Sequence, residues 1–146
     1  MFNVWLDYPK FAEELQVVKL TTANLEVNLN KVLNAEEIVF FQDLIRKIPV
    51  ADNVIEYAVK LVNKTRLNSE FSSDISKKYL QWGAGPRASQ YLIIGAKCHA
   101  AIHGKFSPDI EDVKAIAVPI LRHRLVLNYK AEAENISVEE IIKQLM

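Results

Sequence analysis

The chain contains few of the residues that supply cross-links or flexibility: one cysteine, four glycines and five prolines among 146 residues. The single cysteine, Cys98, cannot form an internal disulfide, so we expect a reducing compartment, the cytoplasm. Lys and Arg total 18, as do Asp and Glu, and a chain without net charge is not expected to bind nucleic acid through a basic field. No apolar run approaches the roughly 18 residues of a membrane span, so no membrane contact is expected.

Motifs that would make the chain an enzyme by itself are also missing. No segment matches the phosphate-binding loop or a serine-hydrolase elbow, so we predict no catalytic residue. His99 and His103 lie four residues apart on one predicted helix face, but no glutamate lies between them and no third ligand is near. We therefore predict packing roles for these histidines and for Cys98, and no metal site.

Apolar residues at helical spacing fill most of the sequence and predict a mainly α fold. Asn34 with Glu37, and Ser137 with Glu140, are typical of capping boxes that begin helices. Gly104 is predicted to end a helix, and Pro119 to kink or divide one. The predicted helices cover 9–20, 34–48, 52–66, 86–103, a segment opened by Ser107 and Pro108, and 137–145. Between them we expect a polar connector over 21–34, a surface loop over 67–81 with room for one short helix, and an extended stretch over 124–129.

The first eight residues carry a different pattern. Apolar and polar side chains alternate over 2–8, which predicts a strand ended by Pro9. The sequence contains no convincing partner for this strand, and an isolated strand would leave its backbone groups unpaired. We therefore expect that its sheet belongs to a part of a larger protein that is absent here, with residues 1–8 as a junction and 9–146 as a helical domain.

One turn stands out, Trp82-Gly83-Ala84-Gly85-Pro86-Arg87-Ala88. Two glycines loosen the backbone and Pro86 suits the first position of a helix, whose free N–H groups can bind an anion. Arg87 in that first turn is unfavourable beside the positive end of the helix dipole unless an anion is bound. An exposed arginine after a Gly-Pro turn is the alternative, and both interpretations stay open on these residues alone.

The same seven residues carry a resemblance to a known family. They resemble the second-sensor motif of the MoxR family of AAA+ ATPases, usually Gly-Ala-Ser-Pro-Arg-Ala, with Gly85 in place of the serine. Further segments that are similar to the family follow in the same order: Leu6–Pro9, Leu33–Ile38, Val54–Tyr57, Asp112–Ala117, Pro119–Leu125 and Val138–Ile141.

The resemblance implies an AAA+ C-terminal helical lid bundle, preceded by one short strand left over from an αβα core that carries the Walker motifs. It implies that Arg87 reaches the γ-phosphate of ATP, that Gly83, Ala84, Gly85 and Pro86 shape the nucleotide-binding turn, and that Tyr8 lies near the adenine. ATP and Mg²⁺ are then expected in the intact protein, and none bound to this chain, which should be inactive alone.

The family also implies partners: the missing core, a hexameric ring of identical subunits, and a von Willebrand A-domain protein or another client. The implied role is chaperone-like remodelling of protein complexes, as in the regulators of methanol dehydrogenase. Two alternatives stay open. One is a stand-alone helical interaction module that binds no nucleotide. The other is a DNA-binding regulator, which the balanced charge disfavours.

Overall fold

The computed structural model describes residues 1–24 and 29–146, and within them helices dominate over a single two-stranded sheet. The mainly α class predicted from the sequence is confirmed. The connector predicted over 21–34 lies partly outside the described residues. None of the described helices is long and apolar enough to cross a lipid bilayer. The elements are α1 (Phe11–Thr21), α2 (Ala35–Lys47), α3 (Asp52–Lys64), α4 (Asp74–Tyr79), β1 (Leu80–Trp82), α5 (Pro86–Ile102), α6 (Ile110–Leu121), β2 (Val126–Leu127), α7 (Tyr129–Ala133) and α8 (Val138–Leu145).

The N-terminal segment differs from its prediction. Residues 1–10 form an irregular segment instead of the strand expected over 2–8. The Asn3 amide donates to the carbonyl of Pro119 at 2.8 Å, while Trp5 and Leu6 are exposed. A strand requires a neighbouring strand for its N–H and C=O groups, and the two strands in the described residues pair with each other. The sequence therefore has the alternating pattern of a strand, but no neighbouring strand among the described residues pairs with it.

Helices α1 and α2 form for local reasons. Asn34 caps α2 as predicted: its side chain accepts from the Glu37 amide at 2.8 Å, and the Glu37 carboxylate accepts from the Asn34 amide at 2.7 Å. Neither α1 nor α2 contains a buried residue. Their apolar residues are thus exposed or, like Ile45, half-buried.

The core lies in the second half of the chain and is organised around α5, which packs against α6, α3 and α2. Alanines on α5, among them Ala88, Ala96 and Ala100, are fully buried, and such small side chains let neighbouring helices approach closely. Helix α5 ends at Ile102, and Gly104 follows with φ of 72°, as predicted for a residue after a helix. The largest fully buried apolar side chains are Leu61, Leu80, Leu92, Ile120, Leu121, Ile141, Ile142 and Leu145.

The segment expected as a loop over 67–81 contains α4 and then β1. Ser73 begins α4, because its hydroxyl accepts from the Ser76 amide at 3.1 Å. Strand β1 pairs antiparallel with β2, with Leu80 opposite Leu127. The extended stretch predicted over 124–129 is therefore confirmed at Val126–Leu127, whereas Tyr129 already begins α7. This small sheet leads the chain directly into the turn before α5.

Helix α6 begins two residues later than predicted. Its N-cap is Asp109, whose carboxylate accepts from the Asp112 amide at 3.1 Å, while the Asp112 carboxylate accepts from the Asp109 amide at 2.9 Å. This reciprocal pair forms a capping box, so Ser107 and Pro108 precede the helix instead of opening it. Pro119 does not divide α6, which continues to Leu121. The capping box of Ser137 and Glu140 begins α8 as predicted.

Candidate functional site

The singled-out turn connects β1 to α5, and we refer to residues 82–87 as the sensor turn. Leu80 of β1, before the turn, is 2% exposed, and Ala88, after it, is fully buried. The turn is therefore anchored in the core at both ends, while Trp82 and Arg87 are exposed between these anchors.

Gly83 lies against the end of α3. A Cβ atom at this position would be 2.2 Å from the carbonyl oxygen of Thr65 and 2.9 Å from the Cα of Arg66. Both of these are backbone atoms, which cannot rotate away as a flexible side chain could. The close approach of the two backbones therefore requires glycine at position 83.

Two hydrogen bonds fix the next residue, Ala84. Its amide donates to the Thr65 hydroxyl at 2.9 Å, and its carbonyl accepts from Arg66 Nε at 2.9 Å. Thr65 is fully buried. Because buried polar groups in a low-dielectric surrounding hold their partners strongly, these bonds fix the turn on the end of α3.

The last part of the sensor turn presents Arg87 at the start of α5. Gly85 is the N-cap residue, with φ of −79°, and supplies no side-chain cap; Pro86 is the first helical residue. No acidic residue lies in the first turn of α5. Pro86 has no N–H, and the Ala88 amide donates to the Gly85 carbonyl at 2.9 Å. The exposed guanidinium of Arg87 is therefore the group in this first turn that can bind an anion.

Two open grooves flank the sensor turn. One, of about 560 Å³, is the polar groove, lined by Asn63, Arg66, Leu67, Asn68, Ser69, Gln81, Trp82, Gly83, Ala84 and Gly85. The other, of about 800 Å³, is the arginine groove, lined by Arg46, Ile55, Val59, Arg87, Ser89, Gln90, Tyr91, Ile93 and Ile94. The sensor turn therefore separates a surface rich in amides from an apolar one with two arginines.

This arrangement agrees with what a comparison with protein families finds. The family model described as the AAA lid domain matches residues 72–145, which include α4 to α8 and the whole sensor turn. The chain belongs to the AAA lid domain family. The fold predicted from the resemblance is thereby confirmed for residues 72–145, which hold most of the core.

Two relatives extend the match over the complete lid chain. It is 29% identical over 147 residues to YeaC, an uncharacterized protein of Bacillus subtilis, and 27% identical over 146 residues to the chaperone MoxR1 of Mycobacterium tuberculosis. Both alignments cover 100% of the chain, but 43% of YeaC and 38% of MoxR1. The MoxR resemblance is confirmed, and the chain spans about two fifths of the length of these relatives.

A solved structure gives the same result. The lid chain superposes with a TM-score of 0.84 and 30% identity on the crystal structure of a protein of Cytophaga hutchinsonii that is described as a putative ATPase. The superposition covers 99% of this chain and 44% of that protein. The helical arrangement is thus that of a segment within a longer protein.

Of the residues that the resemblance assigns to the nucleotide, Tyr8 lies apart from the others. It is 95% exposed, and its amide donates to the Asp7 carboxylate at 2.8 Å. It lines neither the polar groove nor the arginine groove. The lid alone brings together residues 83–87, and the place of Tyr8 near the adenine stays a prediction.

His99, one of the two histidines considered above, contacts a buried carboxylate. His99 Nδ1 lies 2.7 Å from Oδ1 of the fully buried Asp112, and Lys105 Nζ donates to both carboxylate oxygens at 3.1 Å. Burial by itself would raise the pKa of Asp112, but hydrogen bonds from the Asp109 amide, His99 and Lys105 outweigh it and lower the pKa to about 2.

Over residues 1–24 and 29–146, no group of three or more metal-ligating side chains occurs. Burial raises the pKa of the half-buried Cys98 thiol.

Sequence reasoning missed three residues of the site. Thr65 and Arg66 position the sensor turn, although they lie 19 and 18 residues before Ala84. Arg46 lines the same groove as Arg87. A basic residue in the last turn of a helix is adequately explained by the helix dipole, so Arg46 gave no separate signal.

Proposed function

We propose that this lid closes over ATP held by a nucleotide-binding core and that Arg87 contacts the γ-phosphate. The observation that carries the proposal is the exposed Arg87 in the first turn of α5, without an acidic residue in that turn and on a turn held by Thr65 and Arg66. A guanidinium can bind phosphate oxygens in bidentate fashion. Its role is to couple lid position to the presence of the γ-phosphate.

The residues of this chain fit the phosphate groups of a nucleotide but not its metal ion. The guanidinium of Arg87 suits an anion, whereas the described residues contain no cluster of three or more metal-ligating side chains. When bound, Mg²⁺ would neutralise charge on the phosphates, and its ligands, like the Walker motifs, would come from the core. The lid residues would orient the phosphate and exclude water.

The resemblance to MoxR proteins extends the proposal to the complete protein. We propose a cytoplasmic, ring-shaped and hexameric ATPase that remodels protein complexes in a chaperone-like manner, with a von Willebrand A-domain protein or another client as partner. The support is the match to the chaperone MoxR1 over 100% of this chain. Tyr8, at the junction, is proposed to lie near the adenine.

The test is ATP turnover by a polypeptide that contains this lid together with its core. Arg87→Gln should lower turnover about ten- to a hundredfold, since a charge-assisted hydrogen bond contributes roughly 1.5–3 kcal/mol. Arg87→Lys should recover part of the loss, because a point charge cannot reproduce the planar fork.

Lys47→Gln is the matched control, because Lys47 is an exposed basic residue that lines neither groove beside the sensor turn. It should leave turnover within about twofold of the unmodified protein. Equal turnover of the Arg87→Gln and unmodified proteins, with the lid still folded, would refute the role of Arg87.

A further inference from the structure

Arg46 and Arg87 line the same groove although they belong to different helices. Arg46 lies in the last turn of α2 and Arg87 in the first turn of α5. Ile55 and Val59 of α3 and Tyr91 of α5 form much of the wall between them. Two cations thus share one concave surface whose walls are largely apolar.

The charges in this groove are unbalanced. Among the described residues that line it, none carries a carboxylate. Within residues 1–24 and 29–146, neither Arg46 nor Arg87 takes part in an ion pair. A cleft with low-dielectric walls and one sign of charge concentrates its field and attracts a counter-ion. The groove is therefore suited to a polyvalent anion.

Other contacts hold both sides of the groove in place. Lys97 Nζ on α5 donates to the Arg46 carbonyl at 3.0 Å and so ties the end of α2 to α5. Tyr91 lies one turn after Arg87 on α5, and the guanidinium of Arg124 is 5.2 Å from its ring centroid. Arg124 is fixed in turn, because its Nε donates to the Ile120 carbonyl at 2.9 Å. The surroundings of the groove therefore add two further positive charges, those of Lys97 and Arg124.

We propose that Arg46 is a second phosphate-binding residue, which contacts the same polyphosphate as Arg87 from the opposite side of the arginine groove. This inference rests on the proposed function of Arg87 and extends it. The ligand is a polyphosphate or the triphosphate of a nucleotide, because both offer several anionic oxygens along one chain. Fork-shaped donors on two helices suit such a ligand better than one arginine alone.

The test measures binding of inorganic tripolyphosphate to the full 146-residue chain at low salt. Binding is monitored by calorimetry and by the arginine Nε resonances in NMR spectra. Arg46→Gln should weaken binding about three- to tenfold, and Arg87→Gln at least as much. Lys47→Gln removes the same charge from the next residue of the chain and should change binding by less than twofold. A parallel titration with ATP distinguishes a nucleotide from a free polyphosphate, since a contribution of the base makes ATP the tighter ligand.

Each outcome separates the two hypotheses. If Arg46→Gln behaves like Lys47→Gln while Arg87→Gln loses binding, the role of Arg46 is wrong and the proposed function stands. If the unmodified chain binds no tripolyphosphate, the inference is wrong. If Arg46→Gln weakens binding but Arg87→Gln leaves ATP turnover of the complete protein unchanged, the groove binds anions and the proposed function is wrong. Unchanged urea unfolding of each variant shows that folding is not the cause.

Discussion

Helices α2 and α8 both begin with a capping box, but they differ in how many of their residues are buried. Asn34 with Glu37 begins α2, and Ser137 with Glu140 begins α8, each by reciprocal hydrogen bonds. Helix α8 buries three apolar residues in the core, whereas α2 buries none. A capping box thus determines where a helix starts, but it does not determine how deeply the apolar side chains of that helix are buried.

The same contrast divides the described chain. In its first half no residue before Val54 is buried, although large apolar side chains such as Trp5, Phe11 and Phe40 occur there. From Val54 onward, apolar residues on α3, α5, α6 and α8 converge on one core. Apolar side chains stabilise a fold only when other atoms remove them from water, so these two regions should respond differently to the same substitution.

The largest expected effect tests this contrast with one substitution in two capped helices. Ile142→Ala on α8 removes a fully buried side chain and should lower the free energy of unfolding by about 2–5 kcal/mol. Ile38→Ala on α2 removes a side chain that is 47% exposed and should cost less than about 1 kcal/mol. Urea unfolding followed by circular dichroism measures both. Similar costs at the two positions would mean that Ile38 is buried in solution.

A second comparison lies within the packed region, between the two glycines of the sensor turn. Gly83→Ala places a Cβ 2.2 Å from a backbone oxygen and should cost about 3 kcal/mol of unfolding free energy, since the backbone must shift. Gly85→Ala has no atom within 4 Å of its new Cβ and serves as the matched control, with a cost of no more than about 1 kcal/mol for an alanine at the N-cap. Equal unfolding midpoints for the two variants would contradict the close packing on Thr65.

Acid should act on the packed region through Asp112. The pKa of this carboxyl is lowered to about 2 in the folded chain, against about 3.9 in an unfolded one. Its contribution, on the order of 2 kcal/mol, is therefore present above about pH 4 and is lost as the pH falls towards 2.

Asp112→Asn isolates this contribution. The variant should be less stable than the unmodified chain at pH 7, and the two should converge near pH 2 in urea unfolding. A difference that stays constant from pH 7 to pH 2 would show that the carboxylate charge does not matter. The exposed Asp109→Asn, which also affects the α6 cap, shows how much belongs to capping alone.

The smallest expected effects return to the two caps. Ser137→Ala should cost about 1 kcal/mol of global stability, because α8 unfolds with the core. Asn34→Ala removes a comparable cap but should leave global unfolding nearly unchanged and speed amide exchange in the first turn of α2, because this helix opens locally. A loss of global stability with Asn34→Ala equal to that with Ser137→Ala would remove the distinction between the two regions.

Much of the local structure could be predicted from the sequence because it depends on residues that are close along the chain. The starts of α2 and α8 each depend on side chains three residues from the N-cap, and the positive φ of Gly104 follows from its place after a helix. The predicted start of α6 at Ser107 is wrong, because Asp109 and not Ser107 forms the reciprocal pair with Asp112. The resemblance of residues 82–88 to a known motif also required no structure.

Tertiary structure alone decided which of these elements pack and which residues surround Arg87. Thr65 and Arg66 hold a turn that lies 18 or 19 residues further along the chain, and Arg46 reaches the arginine groove from a helix that precedes α5 by the whole of α3 and α4. The irregular N-terminal segment shows the same dependence, since its alternating pattern is of strand type but no neighbouring strand is present in the described residues to accept its hydrogen bonds. Hydrogen bonding and capping within one turn are local and can be read from a pattern, whereas burial, groove formation and strand pairing depend on which distant segments meet.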